Sequence, residues 1–270
     1  MRIIFGKHLK KRPKRINNCM FQFQFDFLVE QLLQNLLREG VYDQGIFKAI
    51  AMIGPMGAGK STIAKKLLGA MSGLRSVNLD DFNEMLLKQG KVVGGNLAPD
   101  QLERSWELTQ KRKDLLIQGR LGLLIDGSGR KIDSVLSPLR EVEKLGYDTM
   151  VIAVNVSLET SLERQRSRAA AQAAQWGTGR NVPEDLARTS HADIQKNIPA
   201  LQQMLGNRFI LIKNEGDVNL SSAYKQVQSF LSLKPAKPQA TAWIQSELAK
   251  KKRAPNQQGI APNQQGIAVN

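Results

Sequence analysis

The chain has 270 residues, 41% hydrophobic and 23% charged, a balance that suits a globular protein of one large domain or two small ones. Its single cysteine, Cys19, excludes an internal disulfide framework and favours a reducing compartment; with only two histidines, His8 and His191, multi-histidine zinc sites and a serine–histidine–aspartate hydrolase fit poorly. Of the net charge of +15, residues 1–20 carry +7 and residues 233–270 carry +5, so the body between them is nearly balanced and the charge describes the ends.

Taken in chain order, residues 1–20 mix bases with a proline and show no period, which predicts a basic flexible arm, with Met20 as an alternative start. Residues 21–45 hold an expected helix, Phe27–Arg38, with Leu28, Leu32, Leu33 and Leu36 at helical spacing. Residues 46–232 alternate apolar runs with helical segments. Strands are expected at Ile46–Ile53, Arg75–Leu79, Leu121–Ile125, Met150–Val156 and Phe209–Ile212, and helices at Thr62–Met71, Pro99–Gln118, Ser134–Leu145 and Glu184–Leu205. Strands separated by helices imply right-handed crossovers and a parallel sheet covered on both faces, with ligands at the carboxyl ends of the strands. Residues 233–270 read as a basic low-complexity tail: prolines 235 and 238 break it, a short helix at Thr241–Lys252 fits, and APNQQGI then occurs twice in tandem. The favoured reading of both ends is solvated tails, against a weak, salt-sensitive nucleic-acid contact. No run approaches the roughly 18 apolar residues of a membrane span. Ile3–Phe5 is too short for a signal peptide, so a cytoplasmic location is expected.

Directly after the first expected strand, Gly54-Pro55-Met56-Gly57-Ala58-Gly59-Lys60-Ser61-Thr62 satisfies G-x-x-x-x-G-K-[ST] and opens a helix. A polyphosphate needs backbone N–H groups turned inward at the positive end of a helix, which such a loop supplies. Lys60 is expected on the β- and γ-phosphates and the Ser61 hydroxyl on Mg²⁺. Asp126 ends an apolar strand before Gly127-Ser128-Gly129 and is expected to hold the metal through water; a cap role is the alternative. Asp80 and Asp81 follow the second strand on the same rim. A carboxylate there can take a proton from an acceptor hydroxyl, and two acids before a helix can equally be caps.

G-P-M-G-A-G-K-S-T followed by Asn78-x-Asp80-Asp81-Phe82 resembles both the polynucleotide 5′-kinase pattern and the zeta-toxin family of P-loop kinases, and Asp126-Gly127-Ser128 is similar to both. The resemblance implies that Asp80 acts on the acceptor hydroxyl, with Asp81 as its supporting or capping neighbour. An arginine-rich helix with Arg164, Arg166 and Arg168, then Gly177 to Pro183 with Arg180, then a long helix, resembles zeta-toxin-like kinases specifically. Arg168 and Arg180 best match that family's two phosphate-clamping arginines, Arg166 being nearly as good for the first, on a lid of about residues 164–183. Bidentate guanidinium donors suit charge spread over phosphoryl oxygens. Asn214, in Asn214-Glu215-Gly216-Asp217, is similar to a turn beside adenine in many P-loop kinases and makes ATP the expected nucleotide.

The resemblance thus implies an α/β P-loop kinase-like fold with a five-stranded parallel sheet in the order 2-3-1-4-5. It implies a kinase using ATP and Mg²⁺ to phosphorylate a hydroxyl of a small molecule, a nucleotide sugar being one candidate acceptor. A polynucleotide 5′-hydroxyl kinase and an ATP-hydrolysing switch are the alternatives. A cognate antitoxin is a candidate partner, although no segment of the chain points to one. Trp106 reads as core packing rather than an acceptor-pocket wall, Arg130 and Lys131 as surface charges or acceptor contacts, and His191 as exposed.

Overall fold

The computed structural model describes residues 40–69, 73–88, 92–93, 96–176 and 182–253. The basic arm, the expected helix Phe27–Arg38, Arg180 and the APNQQGI copies lie outside the described residues.

Five strands, β1 (Lys48–Ile53), β2 (Leu74–Val77), β3 (Gly122–Asp126), β4 (Asp148–Asn155) and β5 (Phe209–Lys213), form one sheet in the order β2-β3-β1-β4-β5. Every neighbouring pair is parallel. The helices are α1 (Lys60–Leu68), α2 (Leu79–Lys88), α3 (Pro99–Gln118), α4 (Ile132–Lys144), α5 (Leu158–Trp176), α6 (Glu184–Leu205), α7 (Ser221–Ser232) and α8 (Pro238–Arg253). Val92–Val93 and Asn96–Leu97 pair as a short antiparallel ribbon between α2 and α3.

The period of two along each strand separates two cores. Ala49, Ala51 and Ile53 of β1 and Val151 and Ala153 of β4 face α4 and α6, through Leu136, Leu139, Val142, Ile194, Ile198 and Leu201. The alternate residues Ile50, Met52, Ile152 and Val154 face α1 and α7, through Ile63, Leu67, Val227 and Phe230. Helices therefore cover both faces, as a sheet whose central strands are apolar over Ala49–Ile53 and Met150–Val154 requires. Lys48, the first residue of β1, is buried, and it is held by Asp148 Oδ2 at 2.8 Å with its ammonium 5.1 Å from the Phe230 ring centre.

Two boundaries differ from expectation. The second strand ends at Val77, two residues before the expected Leu79, because the Asn78 side chain accepts the Asp80 backbone N–H at 2.9 Å and so caps α2 there. Asp80 and Asp81 consequently sit in the first turn of α2 instead of on a strand end. The short helix expected at Thr241–Lys252 runs over Pro238–Arg253, opened rather than broken by Pro238, and it seats Ala240 and Trp243 on the core instead of standing in solvent. Trp243 meets Phe47 edge-on at 5.6 Å between ring centres, and Phe47 meets Tyr147 at 5.3 Å. Trp106, expected in the core, is 57% exposed on α3. Leu102, one turn before it, is 46% exposed as well, so this stretch of α3 is turned to solvent.

Candidate active site

Parallel register brings the strand ends to one rim. Met52 is level with Asp126 on one side and Ile152 on the other, Gly127 N–H donates to Met52 O at 2.9 Å, and Asn214 N–H donates to Asn155 O at 2.8 Å. The loop after β1 thus begins beside Gly127–Ser128 and ends against the loop after β5.

Residues 54–59 turn from β1 into α1, with Lys60 and Ser61 in the first helical turn. Gly57 has φ +78, and a Cβ built there stands 2.6 Å from the Ser161 carbonyl oxygen of α5. Only glycine permits both that conformation and that approach. Pro55, Met56, Ala58 and Thr62 complete the loop and its exit. Lys60 Nζ donates to Gly54 O at 3.1 Å, folded back across the loop.

A cavity of about 500 Å³ opens over this loop and is lined by Met56, Gly57, Ala58, Gly59, Lys60, Ser61, Thr62, Asn78, Asp80, Asp81, Glu84, Asp126, Arg164, Gln165, Arg168 and Val182. Lys60, Ser61, Asp80 and Asp126 therefore share one space, although they come from α1, α2 and β3. Its lining carries both signs: Lys60, Arg164 and Arg168 are basic, and Asp80, Asp81, Glu84 and Asp126 are acidic.

Asp126 is half-buried, and burial raises its carboxyl above the ordinary range; Lys60 opposes this, while Asp80 and Asp81 add to it. A carboxylate held at that cost beside the Ser61 hydroxyl fits a divalent cation, which would relieve both the desolvation and the repulsion. Among the described residues no three His, Cys, Asp or Glu side chains cluster as a preformed metal cage. Mg²⁺ takes one or two protein oxygens and completes its shell with water and phosphate, and Ser61 and Asp126 offer two such oxygens.

Around the rim, Arg164 donates to Gly57 O at 3.5 Å and to Asn214 O at 3.2 Å, and the Asn214 side chain donates to Ala58 O at 2.7 Å. Asn214 is thus packed on the loop itself. Arg168 is exposed at the cavity mouth. Arg166, the alternative first clamp, points elsewhere and pairs with Glu184 at 2.8 Å, tying α5 to α6. Arg130 pairs with Asp193 at 3.3 Å, and His191, expected to be exposed, is half-buried with Nε2 2.8 Å from Val156 O. Ser161, Arg164 and Gln165 were not separable from the other polar residues of α5 by sequence, because which side of a helix meets the loop depends on its docking angle.

The chain is similar to solved structures of the same fold. It superposes on the AvrRxo1-ORF1:ORF2 complex with ATP at a TM-score of 0.53 and 16% identity, covering 83% of this chain and 84% of that one. It superposes on a structure from the PezAT chromosomal toxin–antitoxin system of Streptococcus pneumoniae at 0.53 and 18% identity, covering 84% and 95%. No curated protein matches the chain. The zeta toxin family model matches residues 38–225, which span the sheet, the glycine-rich loop, Asp80, Asp126 and the arginines of α5. With that match and the kinase-like strand order both in hand, the chain belongs to the zeta toxin family.

Proposed function

We propose that this protein is an ATP-dependent phosphotransferase that moves the γ-phosphate to a hydroxyl group of a small molecule, a nucleotide sugar being one candidate acceptor. The observation that carries this reading is the single cavity bordered by Lys60, Asp80 and Asp126. In it, the backbone of 54–59 binds the phosphate chain and Lys60 leaves Gly54 O for the β- and γ-phosphates. Ser61 and Asp126 would hold Mg²⁺, which when bound neutralises charge on the phosphates. Asp80 accepts the proton of the acceptor hydroxyl as that oxygen bonds to the γ-phosphorus; the bond from phosphorus to the β,γ-bridging oxygen breaks and ADP leaves. Arg168, with Arg180 from the lid, stabilises charge on the transferring oxygens. Asn214 borders the adenine. PezAT is described as a toxin–antitoxin system, which makes a cognate antitoxin a candidate partner here.

The test is incubation with γ-labelled ATP and Mg²⁺, offering a metabolite extract in one tube and a 5′-hydroxyl oligonucleotide in another. Label on a small metabolite is expected, and it should fall by a factor of about 10²–10⁴ in Asp80→Asn while ATP binding survives. Label on the oligonucleotide, or only free phosphate with Asp80→Asn unimpaired, would overturn the reading.

A further inference from the structure

A loop can cradle an anion with its N–H groups only if its carbonyls turn outward, and those carbonyls then need partners elsewhere. Here the partners come from α5 and the loop after β5. Ser161 Oγ donates to Met56 O at 2.7 Å, Gln165 Nε2 to the same oxygen at 3.2 Å, Arg164 to Gly57 O at 3.5 Å, and Asn214 to Ala58 O at 2.7 Å. Three successive carbonyls of the phosphate-binding loop are thereby fastened from outside, and Ser161 is fully buried in the seam.

The start of α5 is itself held by a residue far along the chain. The Glu215 carboxylate accepts the Ser157 backbone N–H through one oxygen and the Thr160 hydroxyl at 2.9 Å through the other. Ser157 Oγ also accepts the Thr160 backbone N–H at 3.1 Å. Glu215 therefore sits at the positive end of α5, one turn before Ser161, and its neighbour Asn214 receives Arg164 on its carbonyl oxygen at 3.2 Å. These contacts hold the Glu215 carboxyl below the ordinary range.

We propose that Glu215 is a positioning residue for the phosphate-binding loop: by clasping Ser157 and Thr160 it sets the first two turns of α5, whose Ser161, Arg164 and Gln165 keep the loop carbonyls turned out. The proposal rests on the kinase reading above for its consequence, which is nucleotide affinity. It does not rest on it for the clasp. Glu215 is exposed and belongs to neither core, so its removal acts on this seam and leaves the fold in place.

Two readouts on the full chain test it. In nucleotide-free protein, Glu215→Ala is expected to speed amide exchange over residues 56–59 and to weaken Mg-ATP binding by calorimetry about five- to tenfold, the loss that one or two such hydrogen bonds support. Glu215→Gln is expected to stay within about threefold of wild type, since its amide oxygen still accepts the Ser157 N–H. A purely structural role would lower the melting temperature and leave the dissociation constant of the folded protein alone. Wild-type exchange at 56–59 together with wild-type affinity in Glu215→Ala would overturn the proposal. Should Glu215→Ala fail to fold, Thr160→Val carries the same two measurements with an intermediate effect expected. If wild-type protein does not bind ATP, the kinase reading falls, and the exchange comparison still decides the clasp.

Discussion

Replacing Gly57 by alanine isolates what the glycine-rich loop requires of its surroundings. The new Cβ would stand 2.6 Å from the Ser161 carbonyl oxygen, whereas ordinary contact begins near 3.4 Å, so the loop or α5 must retreat by most of an ångström. The left-handed backbone at φ +78 adds roughly 1–2 kcal/mol of strain. Gly69 supplies a control for strain without a clash: it ends α1 at φ +60 and ψ −174, a conformation all but reserved for glycine, and a Cβ there meets nothing within 4 Å. Gly69→Ala should therefore show the strain alone, lowering the melting temperature by about 2–4 °C per kcal/mol without altering nucleotide affinity. Gly57→Ala should add a loss of Mg-ATP affinity of about tenfold or more, since misplacing a loop by this distance disrupts several N–H contacts at once. Calorimetric titration of both variants, with melting curves alongside, reads the difference. Gly57→Ala binding Mg-ATP as tightly as Gly69→Ala would refute the argument that α5 closes against the loop.

Asp126 gives a pH prediction. Its folded pKa lies above the unfolded value, so its contribution to stability is full at low pH and is lost as pH rises through the raised value. Asp126→Asn should accordingly melt higher than wild type at neutral pH, yet lose the extra stabilisation that Mg²⁺ with ATP confers; a lower melting temperature without ligand would count against the burial argument. In wild type that Mg²⁺ effect should fade on acidification earlier than an ordinary carboxylate predicts. Arg168→Ala is expected to slow phosphoryl transfer while Arg166→Ala, which removes one of the two arginine partners of Glu184 and leaves Arg188 in place, keeps it near wild type; equal rates would dismiss Arg168 as a clamp. Trp243→Ala should cost about 2–3 kcal/mol in denaturant unfolding, less than a fully buried tryptophan, with Mg-ATP affinity unchanged in the folded protein.

The strands and the glycine-rich loop were readable because they depend on local pattern: β1 and β4 each carry an unbroken apolar run of five residues, Ala49–Ile53 and Met150–Val154, and the spacing from Gly54 to Ser61 is fixed by the anion it must surround. The strand order followed from the same resemblance. What escaped were features set by distant partners. Ala240 and Trp243 look ordinary in a proline- and lysine-rich stretch, and only the close approach of Gly146 to Ala240 and the rings of Phe47 and Tyr147 make them core. Asn78 ended β2 early through a side-chain cap that competes with strand propensity. Glu215 reads as one acid in a turn until the docking of α5 brings Ser157 to it across 58 residues. Among the arginines, helical phase alone could not say that Arg164 meets the loop while Arg166 turns to Glu184.

The seat of α8 also bears on how the molecule matures. Phe47 precedes the central strand, yet its ring is covered by Trp243, almost two hundred residues later. A nascent chain arrested before that helix would carry the glycine-rich loop and every strand while leaving Phe47 open to solvent on the α8 side. Such an intermediate would expose apolar surface that the finished chain covers, so a segment that lines none of the site cavity completes the core on which that cavity is built.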